Sequence, residues 1–260
     1  MLKKILSVIL VLLLALLGIS AYLTFFGKRK ADTPETAPEE PAAANVMPAE
    51  EPEVTPEPEP TIDPALFTDT DSLLIVANKK HKLPDGYVPA DLVTPDLAQT
   101  AACTMRAPAA EAIAEMKRAA AEDGVYLMIS SAYRGEDYQR SLYNDYSASY
   151  GTETADTISS RPGYSDHQTG LAADFVEGDG SLDGTNFNQS FEDTKSGQWL
   201  RVHAHEYGFI MRYPREKEDI TGFMYEPWHV RFVGDEVAKI LQESGQVLEE
   251  YLEITSAYAQ

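Results

Sequence analysis

The feature that most limits the fold is a stretch near the N-terminus that lacks charged side chains. It runs for 23 residues, from Ile5 to Gly27, and basic residues flank it on both sides. A helix of about 20 residues spans a hydrocarbon layer, whereas the apolar core of a signal peptide holds about 7–15 residues. We therefore predict that residues 1–30 form a membrane anchor, with a removed signal as the alternative. Because Lys and Arg occur on both flanks, they do not determine the orientation of this helix.

The next segment has a composition that disfavours a packed core. Residues 31–64 contain ten acidic side chains and nine prolines, but no Lys or Arg. Such a segment buries too little apolar surface to offset its ordering entropy, and its like charges repel one another. We predict an extended, disordered linker over residues 31–65, which would hold a domain at a distance from a membrane.

The remaining residues, 66–260, are sufficient for one folded domain. They contain 32 acidic residues against 16 Lys and Arg, and this excess of negative charge argues against a nucleic-acid partner. Cys103 is the only cysteine in the sequence, so an intrachain disulfide is excluded. No pattern in the sequence indicates a protein partner.

Hydrophobic periodicity places helices and strands in this domain. An Ala-rich amphipathic segment before Gly124 predicts one helix, and Tyr138, Leu142 and Tyr146 share one face of another. The full pattern predicts helices over 108–123, 136–147, 196–207 and 235–251, the last as one or two helices, and strands over 125–130, 171–176, 209–213 and 229–233. Tight links between these segments favour an α+β domain over a doubly wound parallel sheet.

Two of the five histidines occur in segments whose carboxylates could share a metal ion with them. His167 occurs in YSDHQTGLAAD (164–174), seven residues before Asp174, and His229 follows Glu226. A catalytic zinc usually takes three protein ligands and leaves a fourth position for water, so His167, Asp174 and His229 form a possible set. Ser, Asp and Gly are also common in turns, and spacing alone leaves that interpretation of YSDHQTGLAAD open.

Glu226 is then a spare carboxylate that could take a proton from water. Residues three apart on a regular strand face opposite sides, so Glu226 and His229 cannot both face one site from an ideal strand. Pro227 is typical of a strand start, and we therefore expect Glu226 to precede the strand. Arg134, after the strand at 125–130, is either a surface residue or a clamp for a terminal carboxylate.

Two motifs in this sequence are similar to those of a known family. Ser165-x-His167-x-x-Gly170-x-Ala172-x-Asp174 and Glu226-Pro-Trp-His229 resemble the zinc D-alanyl-D-alanine carboxypeptidases of the VanY type, which are LAS-type metallopeptidases. The resemblance extends from about Leu73 to Gly234. It includes the segments NKKHKLPDGYVPADLV, SAYRGEDYQ, RPGYSDHQTGLAADF and GFIMRYPREKEDITGFMYEPWHVRFVG.

The resemblance implies a fold, a cofactor and a role for six residues. The implied fold is a small antiparallel sheet flanked by helices, and the implied cofactor is Zn²⁺. His167, Asp174 and His229 match the zinc ligands, and Glu226 matches the catalytic base. Arg134 matches a catalytic and substrate-binding Arg, and Ser165 matches a substrate-binding Ser. We also expect Gly170, Ala172 and Ala173 to let the chain pass close beneath the metal.

The implied reaction is removal of the C-terminal D-alanine from peptidoglycan stem peptides. Cleavage of an L,D bond in the stem, an endopeptidase activity and a catalytically silent wall-binding module are the alternatives. Such a substrate lies outside the cell membrane. We therefore predict an extracytoplasmic catalytic domain anchored by residues 1–30, or a secreted protein if that segment is cleaved.

Overall fold

The computed structural model describes residues 62–99, 103–177 and 188–256. The chain divides into two units, Met1–Pro56 and Glu57–Gln260, and every described residue belongs to the second. The predicted anchor and residues 31–61 of the predicted linker lie outside the described residues. Within the described ranges, no helix is long and apolar enough to cross a membrane.

The described residues form eight α-helices and three short 3-10 helices. The α-helices are α1 (Ala65–Thr68), α2 (Ala107–Glu122), α3 (Glu136–Tyr150), α4 (Thr152–Ile158), α5 (Lys195–His203), α6 (Glu218–Thr221), α7 (Asp235–Ser244) and α8 (Leu248–Tyr251). The 3-10 helices are Asp166–Thr169, Gln189–Asp193 and Ala204–Tyr207. All four predicted helices are confirmed, and Gly245 separates the last into α7 and α8. Helix α4 was not predicted because its sequence, TETADTI, has no apolar period and buries only Ala155.

Helix α2 shows how local sequence produces an element and fixes its packing. Alanine favours helix, and Pro108 is tolerated in the first turn because its missing N–H would have no partner there. Ile113 and Met116 lie on one face and are completely buried, which stabilises the fold by about 1.5–3 kcal/mol for each side chain. The helix ends before Gly124, which adopts a left-handed conformation with φ of +75°.

Seven strands are present in the described residues. They are β1 (Leu92–Val93), β2 (Ala98–Gln99), β3 (Met105–Arg106), β4 (Leu127–Ser131), β5 (Ala172–Glu177), β6 (Phe209–Met211) and β7 (His229–Phe232). Strands β1 and β3 pair with each other, and the other five form a sheet in the order β2-β4-β5-β7-β6. The neighbouring strands β4, β5, β7 and β6 pair antiparallel, as predicted. Strand β2 instead runs parallel to β4. A parallel pair needs a long crossover, and α2 lies in that connection.

The sheet and helices enclose two apolar clusters. The larger contains the buried residues of α2 and the central strands, including Ile113, Met116, Ile129, Phe175 and Val230. The smaller holds the C-terminal helices against the segment that precedes β1 and contains Phe67, Val76, Ile210, Val233, Ala238, Leu241, Leu248 and Leu252. The α+β class predicted from the sequence is therefore confirmed.

Candidate active site

The register of β5 against β7 brings two predicted ligands together. Asp174 lies directly opposite His229 in this antiparallel pair, and directly opposite residues share one face of a sheet. His229 Nδ1 lies 3.1 Å from Asp174 Oδ1. The 3-10 turn before β5 carries His167, whose Nε2 lies 3.1 Å from Asp174 Oδ2. The three side chains are buried, and a ligand atom from each lies within 4.8 Å of the others.

Gly170 allows the chain to turn from His167 into β5. It has φ of +70°, a left-handed conformation that other residues adopt at a cost. A Cβ atom at this position would lie 3.0 Å from both Arg106 Cγ and Leu92 Cδ2. The close approach that requires glycine is therefore made to the β1–β3 pair, and the passage of Gly170, Ala172 and Ala173 beneath the metal stays a prediction. The YSDHQTGLAAD segment is both a turn and part of the site.

Hydrogen bonds fix the tautomers of both histidines. His167 Nδ1 lies 2.7 Å from the carbonyl oxygen of Ala132, which can only accept a hydrogen bond, so Nδ1 carries the proton. Nε2 of His167 is then free to bind a metal. His229 Nε2 lies 3.3 Å from Asp166 Oδ2, and this contact leaves Nδ1 directed towards Asp174.

Asp166 is a site residue that sequence reasoning did not identify. Its carboxylate is almost completely buried and forms ion pairs with Arg231 and Arg212, the latter at 4.0 Å from Nε to Oδ2. Burial alone would raise the pKa of Asp166, but Arg231, His229 and Arg212 hold it well below its usual range. The only sequence signal was its position between Ser165 and His167, and its partners lie far away along the chain.

Glu226 precedes β7, as Pro227 predicted. A turn joins it to the strand, with the N–H of His229 donating to the carbonyl oxygen of Glu226 at 3.3 Å. The Glu226 side chain is 12% exposed, and its Oε2 lies 3.4 Å from His229 Nδ1. Burial raises the pKa of Glu226 above its ordinary value, although His229 acts in the opposite direction. A carboxylate with a raised pKa beside a possible metal is suited to accept a proton from water.

The other carboxylate, Asp174, responds differently to the same surroundings. Burial alone would raise the pKa of Asp174, but His167 and His229 lower it well below its usual range, so this group is an anion. Burial lowers the pKa of His167, although the neighbouring Asp174 acts in the opposite direction. Despite burial, Asp166, Asp174 and Glu226 raise the pKa of His229, so a metal would replace the proton on its Nδ1.

Arg134 and Ser165 lie at the edge of the same centre. Arg134 Nη1 lies 3.8 Å from Asp174 Oδ2 and donates to Ser131 Oγ at 3.4 Å. Ser165 Oγ is buried and has no hydrogen-bond partner among the described residues. Both residues line a cleft of about 310 Å³ that also contains the two histidines, Asp174 and Glu226.

Helix α3 forms one wall of this cleft. Its Tyr138, Leu142 and Tyr146 line the cleft, and Tyr138 is 64% exposed. The apolar face predicted for this helix therefore borders the site, whereas a helix face of this kind more often packs on the core. Four serines besides Ser165 line the cleft, Ser130, Ser131, Ser159 and Ser160, and so do the apolar and aromatic residues Ile158, Tyr213, Phe223 and Trp228.

Comparison with known proteins assigns this site to a family. Residues 102–235, more than half of the chain, match the family described as VanY: D-alanyl-D-alanine carboxypeptidase. The chain belongs to the VanY family. This confirms the resemblance found in the two motifs and the predicted enzyme class.

Individual relatives of this VanY-family chain agree with the assignment. YodJ of Bacillus subtilis (strain 168) is 39% identical over 188 residues, which cover 70% of this chain and 68% of YodJ. The solved structure of the LdcB LD-carboxypeptidase is 38% identical, with a TM-score of 0.66, and covers 72% of this chain and 89% of that one. A mutant of the vancomycin resistance D,D-pentapeptidase VanY, in complex with Zn(II), is 31% identical with a TM-score of 0.58, over 69% of this chain and 98% of that one.

Proposed function

We propose that this chain is a zinc carboxypeptidase that removes the C-terminal D-alanine from peptidoglycan stem peptides by hydrolysing the D-Ala-D-Ala bond. The observation that carries the proposal is the buried group of His167, Asp174 and His229 with Glu226 beside it, in a chain of the VanY family. Two imidazole nitrogens and one carboxylate are a usual donor set for catalytic zinc.

The donor set fits zinc in its details as well as in its composition. Asp174 Oδ1 is buried and accepts no well-aligned hydrogen bond from the described residues, so this oxygen is available to a cation. Zinc bound here would polarise the scissile carbonyl and lower the pKa of a water molecule towards about 7. Glu226 accepts the proton of the attacking water and returns it to the leaving amine.

Arg134 and Ser165 are proposed to hold the substrate. The guanidinium of Arg134 can donate two parallel hydrogen bonds to a carboxylate, which favours peptides cut one residue from the C-terminus. The unpaired hydroxyl of Ser165 can donate to a peptide carbonyl or accept from a peptide N–H. The hydroxyl-lined cleft next to α3 has room for the preceding residues of the stem.

Hydrolysis of an L,D bond in a tetrapeptide stem is the second candidate. It is favoured by the greater likeness to the LdcB LD-carboxypeptidase, in both identity and TM-score, than to the D,D-pentapeptidase VanY. Both reactions release free D-alanine and use the same metal, base and clamp, so the shape of the outer cleft decides between them.

We further propose that residues 1–30 anchor the chain in the cell membrane and that the catalytic domain is extracytoplasmic. The long uncharged segment and the acidic, proline-rich segment after it support this arrangement, because the proposed substrate lies outside the membrane. Reaction with a membrane-impermeant label on intact cells tests the orientation, and protection of the catalytic domain would contradict it.

The test of the reaction uses the purified full-length chain and two muramyl peptides. We expect D-alanine release from the pentapeptide, loss of that release on chelation of the metal, and its recovery when zinc is restored. Release from the tetrapeptide alone would replace the D,D assignment with the L,D one. Glu226→Gln is the matched control, because it should bind zinc but release D-alanine at least about 10²-fold more slowly. Release of D-alanine from neither peptide by the zinc-loaded chain would contradict both candidates and point to an endopeptidase or a binding module.

A further inference from the structure

We propose that Asp166 is a positioning residue of the metal centre, whose carboxylate holds His229 in the orientation and tautomer that present Nδ1 to the metal. This inference deepens the proposed function and rests on the metal site described above. It assigns a role to a residue outside the group of three metal ligands.

A hydrogen bond joins the Asp166 carboxylate to the His229 ring. Asp166 Oδ2 lies 3.3 Å from His229 Nε2, and the other ring nitrogen faces Asp174 Oδ1 at 3.1 Å. Arg231 and Arg212 present only donors to this carboxylate, so its oxygens act as acceptors and Nε2 of His229 is the donor. A neutral imidazole carries one proton, and Nδ1 therefore keeps its lone pair for a cation. Carboxylates that fix metal-binding histidines in this way are a general feature of zinc sites.

A buried arginine holds the Asp166 carboxylate in place. Arg231 forms an ion pair with Asp166 and donates to three backbone carbonyl oxygens, those of Leu73, Ile75 and Phe232, at distances between 2.6 and 3.1 Å. The guanidinium is completely buried and anchored to rigid backbone. Because Arg231 is two residues after His229 on β7, both side chains lie on the same face of the strand. The ligand and the arginine that fixes its partner therefore come from one strand.

A second buried arginine, Arg212, also lies beside the Asp166 carboxylate. Arg212 Nε lies 4.0 Å from Asp166 Oδ2, and its two terminal nitrogens donate to Glu249 on α8 at 2.7 and 2.6 Å. Arg231 therefore contacts Oδ1 of Asp166 and Arg212 lies beside Oδ2, so both oxygens of the carboxylate are held in place next to His229. The turn that carries the ligand His167 also carries Asp166, so one turn supplies a ligand and the partner of another ligand.

A buried ion network can also stabilise a fold without influencing a ligand, and this is the competing explanation. The two explanations differ in what happens to zinc affinity. Asp166→Asn keeps the size of the side chain but places an amide next to His229, and the amide nitrogen can donate to Nε2 and move the ring proton to Nδ1. Glu249→Gln is the matched control, because it removes charge from the same network and does not contact His229.

The first experiment measures zinc affinity of the full-length chains by competition with a chromophoric chelator, together with the spectrum of the Co²⁺-substituted proteins. We expect Asp166→Asn to weaken zinc binding by about 10–100-fold and to change the Co²⁺ spectrum. Glu249→Gln should lower the melting temperature and leave affinity and spectrum unchanged. Wild-type affinity in Asp166→Asn, or an equal loss in both variants, would overturn the proposal. A wild-type chain that binds no zinc would instead overturn the proposed function.

A second measurement needs no substitution and serves if Asp166→Asn does not fold. In the zinc-loaded wild-type chain with ¹⁵N-labelled histidine, we expect the shifts and couplings of His229 to indicate Nδ1 bound to the metal and Nε2 bound to hydrogen. His167 should show the opposite arrangement, since its Nδ1 donates to Ala132. Coordination of zinc through Nε2 of His229 would overturn the assignment.

Discussion

The buried ion pair between Arg212 and Glu249 offers a quantitative test of the packing behind the metal centre. Both side chains are completely buried, and two hydrogen bonds of 2.7 and 2.6 Å join them. Glu249→Leu would leave the guanidinium of Arg212 without its bidentate partner, with Asp166 at 4.0 Å as its remaining ion-pair partner. Removing one member of such a pair costs about 3–5 kcal/mol, because a buried charge is left uncompensated.

This cost corresponds to a large thermal shift. In a domain of 150–250 residues, a loss of 1 kcal/mol lowers the melting temperature by about 2–4 °C, so Glu249→Leu should lower it by about 6–20 °C. The double variant Arg212→Met/Glu249→Leu removes both charges, and replacing a buried pair by apolar groups is often neutral or stabilising. Two costs remain: the amide of Asn78 loses Glu249 as an acceptor, about 1 kcal/mol, and Asp166 loses Arg212 as its second cationic neighbour.

The wild type, the two single variants and the double variant form a double-mutant cycle, which chemical and thermal unfolding would measure. A chelator in every sample would keep metal binding from contributing to the measured stability. We expect the double variant to recover most of the loss, with a coupling energy of at least about 2 kcal/mol. A loss of less than about 1 kcal/mol in each single variant would contradict a strong buried ion pair, and so would single losses in unfolding free energy that add up to the loss in the double variant. Either result would indicate a pair no stronger than those on a protein surface.

Four further predictions concern the site. Glu226→Gln should lower kcat by about 10²–10⁴-fold with unchanged zinc content, which steady-state kinetics and metal analysis would measure; unchanged kcat would contradict its role. In the metal-free protein, burial favours the protonated form of Glu226, so the stability that this form contributes is lost as pH rises above about 4.3. Glu226→Gln should therefore raise the midpoint of urea unfolding more at pH 7 than at pH 4. An equal increase at both pH values would contradict burial as the cause of the raised pKa. Arg134→Lys keeps the positive charge but loses the two parallel N–H donors of the guanidinium, so kcat/KM for the pentapeptide should fall about 10–100-fold. An unchanged kcat/KM would exclude a bidentate contact between Arg134 and the substrate carboxylate. Gly170→Ala should destabilise the fold more than Gly245→Ala, because both positions are left-handed but only Gly170 is crowded; equal losses in urea unfolding would leave the backbone conformation as the sole cause.

Much of the site could be predicted because its chemistry is concentrated in two short segments. The types and spacing of His167, Asp174 and His229 indicated a metal, and Pro227 placed Glu226 before the strand. Helices α2 and α3 followed from local composition and from a period of about 3.6 residues. These are properties of neighbouring residues, which a sequence displays directly.

The rest depended on contacts between residues far apart in the chain. Asp166 reaches His229 and Arg231, and Arg212 reaches Glu249, only because the strands and α8 pack together. No local pattern distinguishes these buried charges from surface ones. The tyrosines of α3 were recognised as one face, but only packing showed that this face borders the cleft. The parallel pairing of β2 with β4 likewise depends on where α2 crosses the sheet. Short motifs therefore indicate which groups we propose for the chemistry, whereas the fold alone shows how those groups are held, because orientation and charge compensation come from residues that only folding brings together.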